Sequence, residues 1–373
     1  MYLHIFFLIA AFAALFHFIL IRYAHILSLV DVPNERSMHK KLIPRGAGIA
    51  IFFAVMLVQT IFNWDHIFSN LYLYAAITLV FIIGFLDDLY DVSPRYKFVF
   101  IFFAAILVYL QGIQIDTLGS YFGYEITLPY YLIFPFMFIA IAGFTNAINL
   151  IDGLDGLSAS VSLIILVTFF AIGFNHNDLL IMTISSSFIS ALIVFWLFNW
   201  FPAKVFMGDS GSLTLGFVIS VLSILTFKYT SPTAILFIIA LPLLDTFMVM
   251  TRRIQRGESP FKADKNHLHH FVYGVKVNVP VAVVLLATIQ AVFSIIGYQL
   301  QGKDDFLSLV IFGLLFFTFL NLFDQRLRHR KKVKKVKKVK KQRQGKKTRP
   351  IICETGMSES FPSAILSKQQ EPK

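Results

Sequence analysis

Apolar residues are arranged along this chain in long runs, interrupted by short polar clusters. Eleven runs approach spanning length, about 17–25 residues. They centre near 3–26, 46–62, 68–86, 98–113, 130–148, 157–174, 179–198, 211–227, 233–250, 280–300 and 306–323. Each is predicted to be a helix, because the bilayer core offers no water to unpaired backbone groups. The expected fold is an all-α, polytopic integral membrane helix bundle of about eleven transmembrane helices over residues 1–325. Residues 326–373 follow as a basic tail. Segment 114–129 (Q-I-D-T-L-G-S-Y-F-G-Y-E-I-T-L-P) has alternating and turn-like residues, which predicts a short outer hairpin. The first run has no basic stretch before it and no small-residue cleavage pattern after it, so it reads as an uncleaved span.

The loops give the orientation. One alternate set comprises 27–45, 87–97, 146–156, 199–210 and 251–279. It holds Arg36, Lys40, Lys41, Arg45, Arg95, Lys97, Lys204, Arg252, Arg253, Arg256, Lys262, Lys265 and Lys276. The opposite set, 63–67, 114–129, 175–178, 228–232 and 301–305, holds only Lys228 and Lys303. Thirteen basic residues against two place the first set and the C-terminus in the cytoplasm and the N-terminus outside.

Composition agrees with this class: 57% of residues are hydrophobic, 14% are charged and mean hydropathy is +0.72. The 42 Phe residues are too many for a soluble core of this size. Cys353 is the only cysteine, so no disulfide framework exists. The formal charge of +12 belongs to the tail, since 17 of the 33 Lys and Arg follow Phe323. That tail cannot pack a core and is expected to be disordered. Two readings suit it: attachment to anionic inner-leaflet lipids, at about 1 kcal/mol per basic residue, or a solvated topogenic end. No folded binding module accompanies it, which argues against a nucleic-acid role.

The polar clusters carry the chemistry, and all of them lie in the cytoplasmic set. N-A-I-N-L-I-D-G-L-D-G-L (146–157) places Asn146, Asn149, Asp152 and Asp155 beside Gly153 and Gly156. A lipid-facing helix has no use for these carboxylates, each costing at least about 2.5–3.5 kcal/mol at the bilayer centre. Hard oxygen donors on a sharply turning backbone suit Mg²⁺. D-D-L-Y-D (87–91) brings three carboxylates together; in a helical continuation Asp87 and Asp91 share a face and Asp88 is offset. Such repulsion calls for a cation or for basic partners such as Lys97 and Arg95. F-M-G-D-S-G-S (206–212) superficially suggests a serine-hydrolase nucleophile. It opens a span, however, where Asp209 beside Ser210, Gly211 and Ser212 reads as a metal ligand with anion-binding amides. K-N-H-L-H-H places His267, His269 and His270 near Arg252, Arg253, Arg256, Lys262 and Lys265, with no further ligands at zinc spacing. These residues mark an anionic substrate, as do Arg36, His39 and Arg45 in the first cytoplasmic loop. His4 and His17 read as tolerated helix residues. Metal ligands, phosphate-binding cations and access to both cytosol and lipid specify phosphoryl transfer from a soluble donor to a membrane-embedded acceptor. A transporter would collect its polar groups near the midplane, and an intramembrane aspartyl protease needs two aspartates deep in facing helices.

Five motifs in order make the chain resemble the polyprenyl-phosphate N-acetylhexosamine-1-phosphate transferases. They are D-V-P-N-E-R-S-M-H with P-R-G-A-G (31–48), D-D-L-Y-D, N-A-I-N-L-I-D-G-L-D-G-L, M-G-D-S-G-S and H-L-H-H. The resemblance runs from about Asp31 to Phe323. It implies ten or eleven helices, a bacterial inner membrane location with a cytoplasmic active site, Mg²⁺ (Mn²⁺ as the alternative), a UDP-N-acetylhexosamine donor, undecaprenyl phosphate as acceptor and UMP as product. By the same motifs, Asp209 becomes the principal metal ligand, completed by Asn149. Asp87 and Asp88 lie at the acceptor phosphate with one as base, and Lys97 holds phosphate. Asp152 and Asp155 orient the nucleotide, and His267, His269 and His270 meet the sugar-phosphate end. Asp91, Asn146, Arg36, His39, Arg45 and Ser210 complete the substrate-binding set. Ala47 replaces the second glycine of the commoner P-R-G-G-G. I-P-R-G-A-G and H-L-H-H favour the N-acetylhexosamine branch, which includes the enzymes that start O-antigen synthesis, over the peptidoglycan branch. Whether the protein is a homodimer is left open.

Overall fold

The computed structural model describes residues 3–31, 42–255, 257–259, 278–302, 305–319 and 321. The described residues up to 317 form one compact unit. Its helices are α1 (Leu3–Tyr23), α2 (Ala47–Phe62), α3 (Trp64–Ser69), α4 (Leu71–Tyr90), α5 (Pro94–Leu110) and α6 (Tyr130–Ile151). They continue with α7 (Leu157–Asn175), α8 (Leu179–Asn199), α9 (Gly208–Thr226), α10 (Pro232–Ile238), α11 (Ala240–Gln255), α12 (Val279–Gln299) and α13 (Asp305–Phe319).

The architecture is all-α and polytopic. In its described residues every expected apolar run overlaps helix. Among the described residues, however, seven helices are long and apolar enough to cross a membrane, or eight if a bent pair counts as one span. α2 and α13 are shorter apolar helices. The run expected at 233–250 is not one straight helix: α10 and α11 meet at 87° around Ile239. Uniform apolarity does not encode such a break.

Helix α9 is the centre of the bundle, with nearly every residue buried, packed against α2, α4, α6, α7 and α8. Small residues permit the close approach, as in other membrane helix packings. A Cβ on Gly48 would lie 2.0 Å from the Gly211 nitrogen, and one on Gly84 would lie 2.5 Å from the Asp209 carbonyl oxygen. The hydroxyls of Thr214, Ser220, Ser223 and Thr226 turn back onto carbonyls of their own helix. These four hydroxyls are thereby satisfied within the helix.

Two small antiparallel hairpins complete the fold. β1 (Val30–Asp31) pairs with β2 (Ile43–Pro44), setting Val30 opposite Pro44. β3 (Thr117–Tyr121) pairs with β4 (Tyr124–Thr127), as the pattern of 114–129 predicts. Its two-residue turn, Phe122–Gly123, has φ of 53° and 81°, the left-handed pair that suits strand twist. Asp305 anchors this hairpin, accepting the Ser120 N–H at 2.7 Å and the Thr233 hydroxyl at 2.5 Å.

Candidate active site

The site forms where the ends of α4 and α6 meet the beginnings of α5, α7 and α9. Asp87 and Asp88 occupy the last turn of α4. Lys97 lies in the first turn of α5, after Pro94 at a position where its missing N–H costs nothing. Asp209 lies in the first turn of α9, where the helix dipole favours a carboxylate.

Lys97 links the two acidic motifs. Its Nζ donates to Asp87 Oδ2 at 2.7 Å and also to Asp209 Oδ2. Asp209 Oδ1 accepts from Asn149 Nδ2 at 3.2 Å, and the same amide donates to Ser212 Oγ at 2.8 Å. Asp87 Oδ1 accepts the Val92 N–H at 2.8 Å. Like unit charges 4 Å apart repel by about 4 kcal/mol at an effective dielectric of 20. Two carboxylates turned toward one place call for a cation between them, and the Lys97 ammonium fills it here.

Asp88 has a different position. It is buried, and its two oxygens accept the N–H groups of Asp209 at 2.8 Å and Ser210 at 3.0 Å. These are the orphan donors of a helix start, capped here by a carboxylate from another helix. Arg45 donates to the Asp88 backbone carbonyl. Gly208 makes room for the cap: its φ is +71°, and a Cβ there would lie 2.6 Å from Asp88 Oδ2.

The helical continuation expected through Asp91 does not occur. α4 ends at Tyr90, and Asp91 turns left-handed at φ 52°, its N–H returning to the Asp87 carbonyl at 3.0 Å. The side chain is exposed and does not share a helical face with Asp87.

The D-G-L-D-G-L loop joins α6 to α7. Asn146 is exposed one turn before Asn149. Asp152 Oδ1 accepts the Ser158 hydroxyl at 2.5 Å, and Asp155 Oδ2 accepts the Ala203 N–H at 3.0 Å. Burial pushes the Asp152 carboxyl up to about 6; the negative charges of Asp209, Asp88 and Asp155 add to this, while the Ser158 hydroxyl opposes it. Gly156 starts α7 at φ +79° and lets the Trp200 ring approach its backbone.

Asn199 was not among the expected residues. It is buried at the end of α8, accepts the Gly156 N–H and donates to the Val205 carbonyl, both at 2.8 Å. It thereby joins the D-G-L-D-G-L loop to the segment leading into Asp209. The P-R-G-A-G segment docks on the same strip: Phe206 N–H reaches Pro44, while Ala47 and Gly48 N–H reach Phe206 and Met207. Ser158 was also missed, and Ser212, read for its backbone amide, contributes its hydroxyl to Asn149 instead. An amide ending an apolar run just before F-M-G-D-S-G was the available signal for Asn199.

Four of the five motifs thus converge in their described parts. Arg36, His39, His267, His269 and His270 lie outside the described residues, as do Arg256, Lys262 and Lys265. Among the described residues no three His, Cys, Asp or Glu side chains form a ready metal cage.

Comparison with known proteins gives the same direction. Residues 70–227 match the model of the family described as Glycosyl transferase family 4. The chain is 35% identical over 301 residues to a probable undecaprenyl-phosphate N-acetylglucosaminyl 1-phosphate transferase of Bacillus subtilis, covering 77% of this chain and 82% of the relative. It is 33% identical over 326 residues to the undecaprenyl-phosphate alpha-N-acetylglucosaminyl 1-phosphate transferase of Escherichia coli K12, covering 83% and 87%. The Yersinia pestis protein of the latter name is 31% identical over 356 residues, covering 87% and 95%. With identity sustained over that length and the motifs of the match gathered at one end of a polytopic bundle, the chain belongs to the polyprenyl-phosphate N-acetylhexosamine-1-phosphate transferases of glycosyl transferase family 4.

Proposed function

We propose that this protein transfers an N-acetylhexosamine-1-phosphate from a UDP-sugar to undecaprenyl phosphate, releasing UMP. The step would open synthesis of a cell-surface polysaccharide of the O-antigen kind, at the cytoplasmic face of a bacterial inner membrane. The observation that carries the reading is the Asp87–Lys97–Asp209–Asn149 constellation, an acidic and amide donor set closed by one cation at helix ends.

The donor set fits Mg²⁺. Asp87 and Asp209 already turn oxygens toward one cation, and Asn149 adds an amide that offers its oxygen when rotated. A set this small leaves positions for phosphate oxygens and water, as Mg²⁺ prefers. When bound, the metal would neutralise the donor diphosphate. Asp209 would be its principal ligand, with Asn149 and Asp87 beside it.

The chain's own residues do the rest. Lys97, released from its two carboxylates, would donate to donor phosphate oxygens. Asp88, by capping α9, holds Asp209 in place. Asp152 and Asp155 shape the loop that would hold the nucleotide. A phosphate monoester with a second pKa of about 6 is already mostly dianionic at neutral pH, so little general-base help is required. An acceptor oxygen attacks the β-phosphorus, that P–O bond forms, and the bond to the UMP oxygen breaks. Both Asp88 oxygens are held by backbone N–H groups, which counts against Asp88 as the site of a phospho-aspartate, and direct attack is the proposed route.

The deciding experiment supplies purified protein with labelled UDP-N-acetylhexosamines, undecaprenyl phosphate and Mg²⁺, beside Asp209→Asn. UMP release and lipid-linked sugar are expected from at least one donor, with turnover of the variant lower by about 10³-fold, the scale of losing a key electrostatic group. No UMP from any such donor would refute the function. Equal turnover by both proteins would refute the role of Asp209.

A further inference from the structure

The break between α10 and α11 has a buried bracket of its own. Helix α10 ends at Ile238, about 10 Å from its Pro232 start by helical rise. Helix α11 then leaves at 87°. A break inside an apolar span exposes backbone groups that lipid cannot satisfy. Two of those groups are met here by side chains from α12. Gln290 Oε1 accepts the Leu241 N–H at 3.0 Å, and Gln290 Nε2 donates to the Ile238 carbonyl at 2.6 Å. Ser294 lies one turn further along α12; it accepts from Gln290 Nε2 at 2.8 Å, and its hydroxyl reaches the same carbonyl at 3.3 Å. Gln290 is fully buried.

The surroundings fit this bracket. Pro242 stands two residues into α11, where a missing N–H leaves nothing unpaired. Gly297 brings α12 against α10, since a Cβ there would lie 2.7 Å from the Ala234 carbonyl oxygen. At its other end α10 is held by Thr233 on Asp305. The short helix is fixed at both ends, so the direction of α11 is fixed too.

We infer that Gln290 is a positioning residue: by pairing Leu241 and Ile238 across the break, it sets the direction of α11, and through α11 the placement of α6. Helix α11 packs on α6, which carries Asn149 at its last turns. It also bears buried Arg252 and Arg253 and leads the chain into the basic segment. The consequence for turnover rests on the transferase reading above; the consequence for geometry does not.

The test therefore reads both, on the full chain in lipid nanodiscs with Cys353→Ser. Spin labels replace Val167 on α7 and Ile254 on α11, both exposed. The unsubstituted bracket is expected to give one narrow distance distribution. Gln290→Met, close in volume but without polar atoms, should at least double its width and lower turnover about tenfold. Gln290→Glu keeps an acceptor and, when protonated, a donor, so at pH 6 it should restore both the width and most of the turnover. A distribution in Gln290→Met equal to that of the parent overturns the inference, as does failure of Gln290→Glu to restore it. If Gln290→Met is not recovered folded, Ser294→Ala decides: broadening supports the bracket and an unchanged width overturns it. Absent turnover in the parent protein would sink the function alone, leaving the distance comparison intact.

Discussion

At the scale of single residues, the site turns on which carboxylates meet a charge and which meet the backbone. The sequence pattern already pointed to Asp209, Asn149 and Lys97, because a carboxylate, an amide and a lysine at three span ends have little other use. It could not distinguish Asp87 from Asp88, which are adjacent. One faces Lys97 and the other caps α9, and the cap is made with N–H groups more than a hundred residues away. Asp152 gives a prediction with a definite sign. Its folded carboxyl titrates at about 6 against an ordinary 3.8, so between those values the folded state holds a proton that the unfolded state has lost. Stability from this group is present below pH 4 and declines as pH rises toward 6, by at most about 3 kcal/mol. Asp152→Asn should remove that decline while keeping an acceptor for Ser158. In metal-free buffer the variant should melt several degrees above the parent at pH 7.5 and at the same temperature at pH 4. Identical melting curves at both pH values would contradict the assignment.

At the scale of elements, apolar runs specified helices and their order well, because length and composition are all a span needs. Bends and close approaches were hidden, since each depends on a partner distant in sequence. The break at Ile239 is closed by Gln290, and the seat of α9 depends on glycines in α2 and α4. Gly84 tests the second of these. A Cβ there would fall 2.5 Å from the Asp209 carbonyl oxygen and 2.7 Å from the Ser210 Cα, both backbone atoms without freedom to swing aside. Gly84→Ala must push α4 and α9 apart, and overpacking of this kind costs about 1–3 kcal/mol. It should also shift Asp209 relative to Asp87 and Lys97, so turnover should fall at least about tenfold, since misplacements near 1 Å can cost about 10²-fold. Gly143 on α6, where a Cβ meets nothing within 4 Å, is the control. Gly143→Ala should melt and turn over as the parent does. Parent-like turnover in Gly84→Ala would show that the α4–α9 contact does not set the site.

At the scale of the whole molecule, the remaining question is which way the bundle faces, and it is decided by parity and charge. The thirteen-to-two distribution of basic residues between alternate loops predicts an outside N-terminus and a cytoplasmic C-terminus for eleven crossings. Only seven or eight of the described helices are long and apolar enough to span unaided, so the count depends on α2, α5 and α13 as well. An odd number of crossings puts the termini on opposite sides, an even number on the same side. The chain carries its own reporter, because Cys353 in the basic tail is the sole cysteine. An impermeant maleimide should label it in inverted membrane vesicles and leave it unlabelled in intact right-side-out vesicles, with full labelling after detergent. A second variant, Cys353→Ser with Glu125→Cys, moves the thiol to the exposed strand of the β3–β4 hairpin. It should label only from the outside. Labelling of both thiols from one face would remove the eleven-crossing arrangement. Labelling of Cys353 from outside and of the hairpin thiol from within would reverse it, putting the Asp87–Lys97–Asp209 cluster on the face without cytosolic nucleotide sugars. The hairpin thiol decides the face of the cluster, which lies one crossing away along α5, and a hairpin outside is what the proposed meeting of a soluble donor and a lipid phosphate requires.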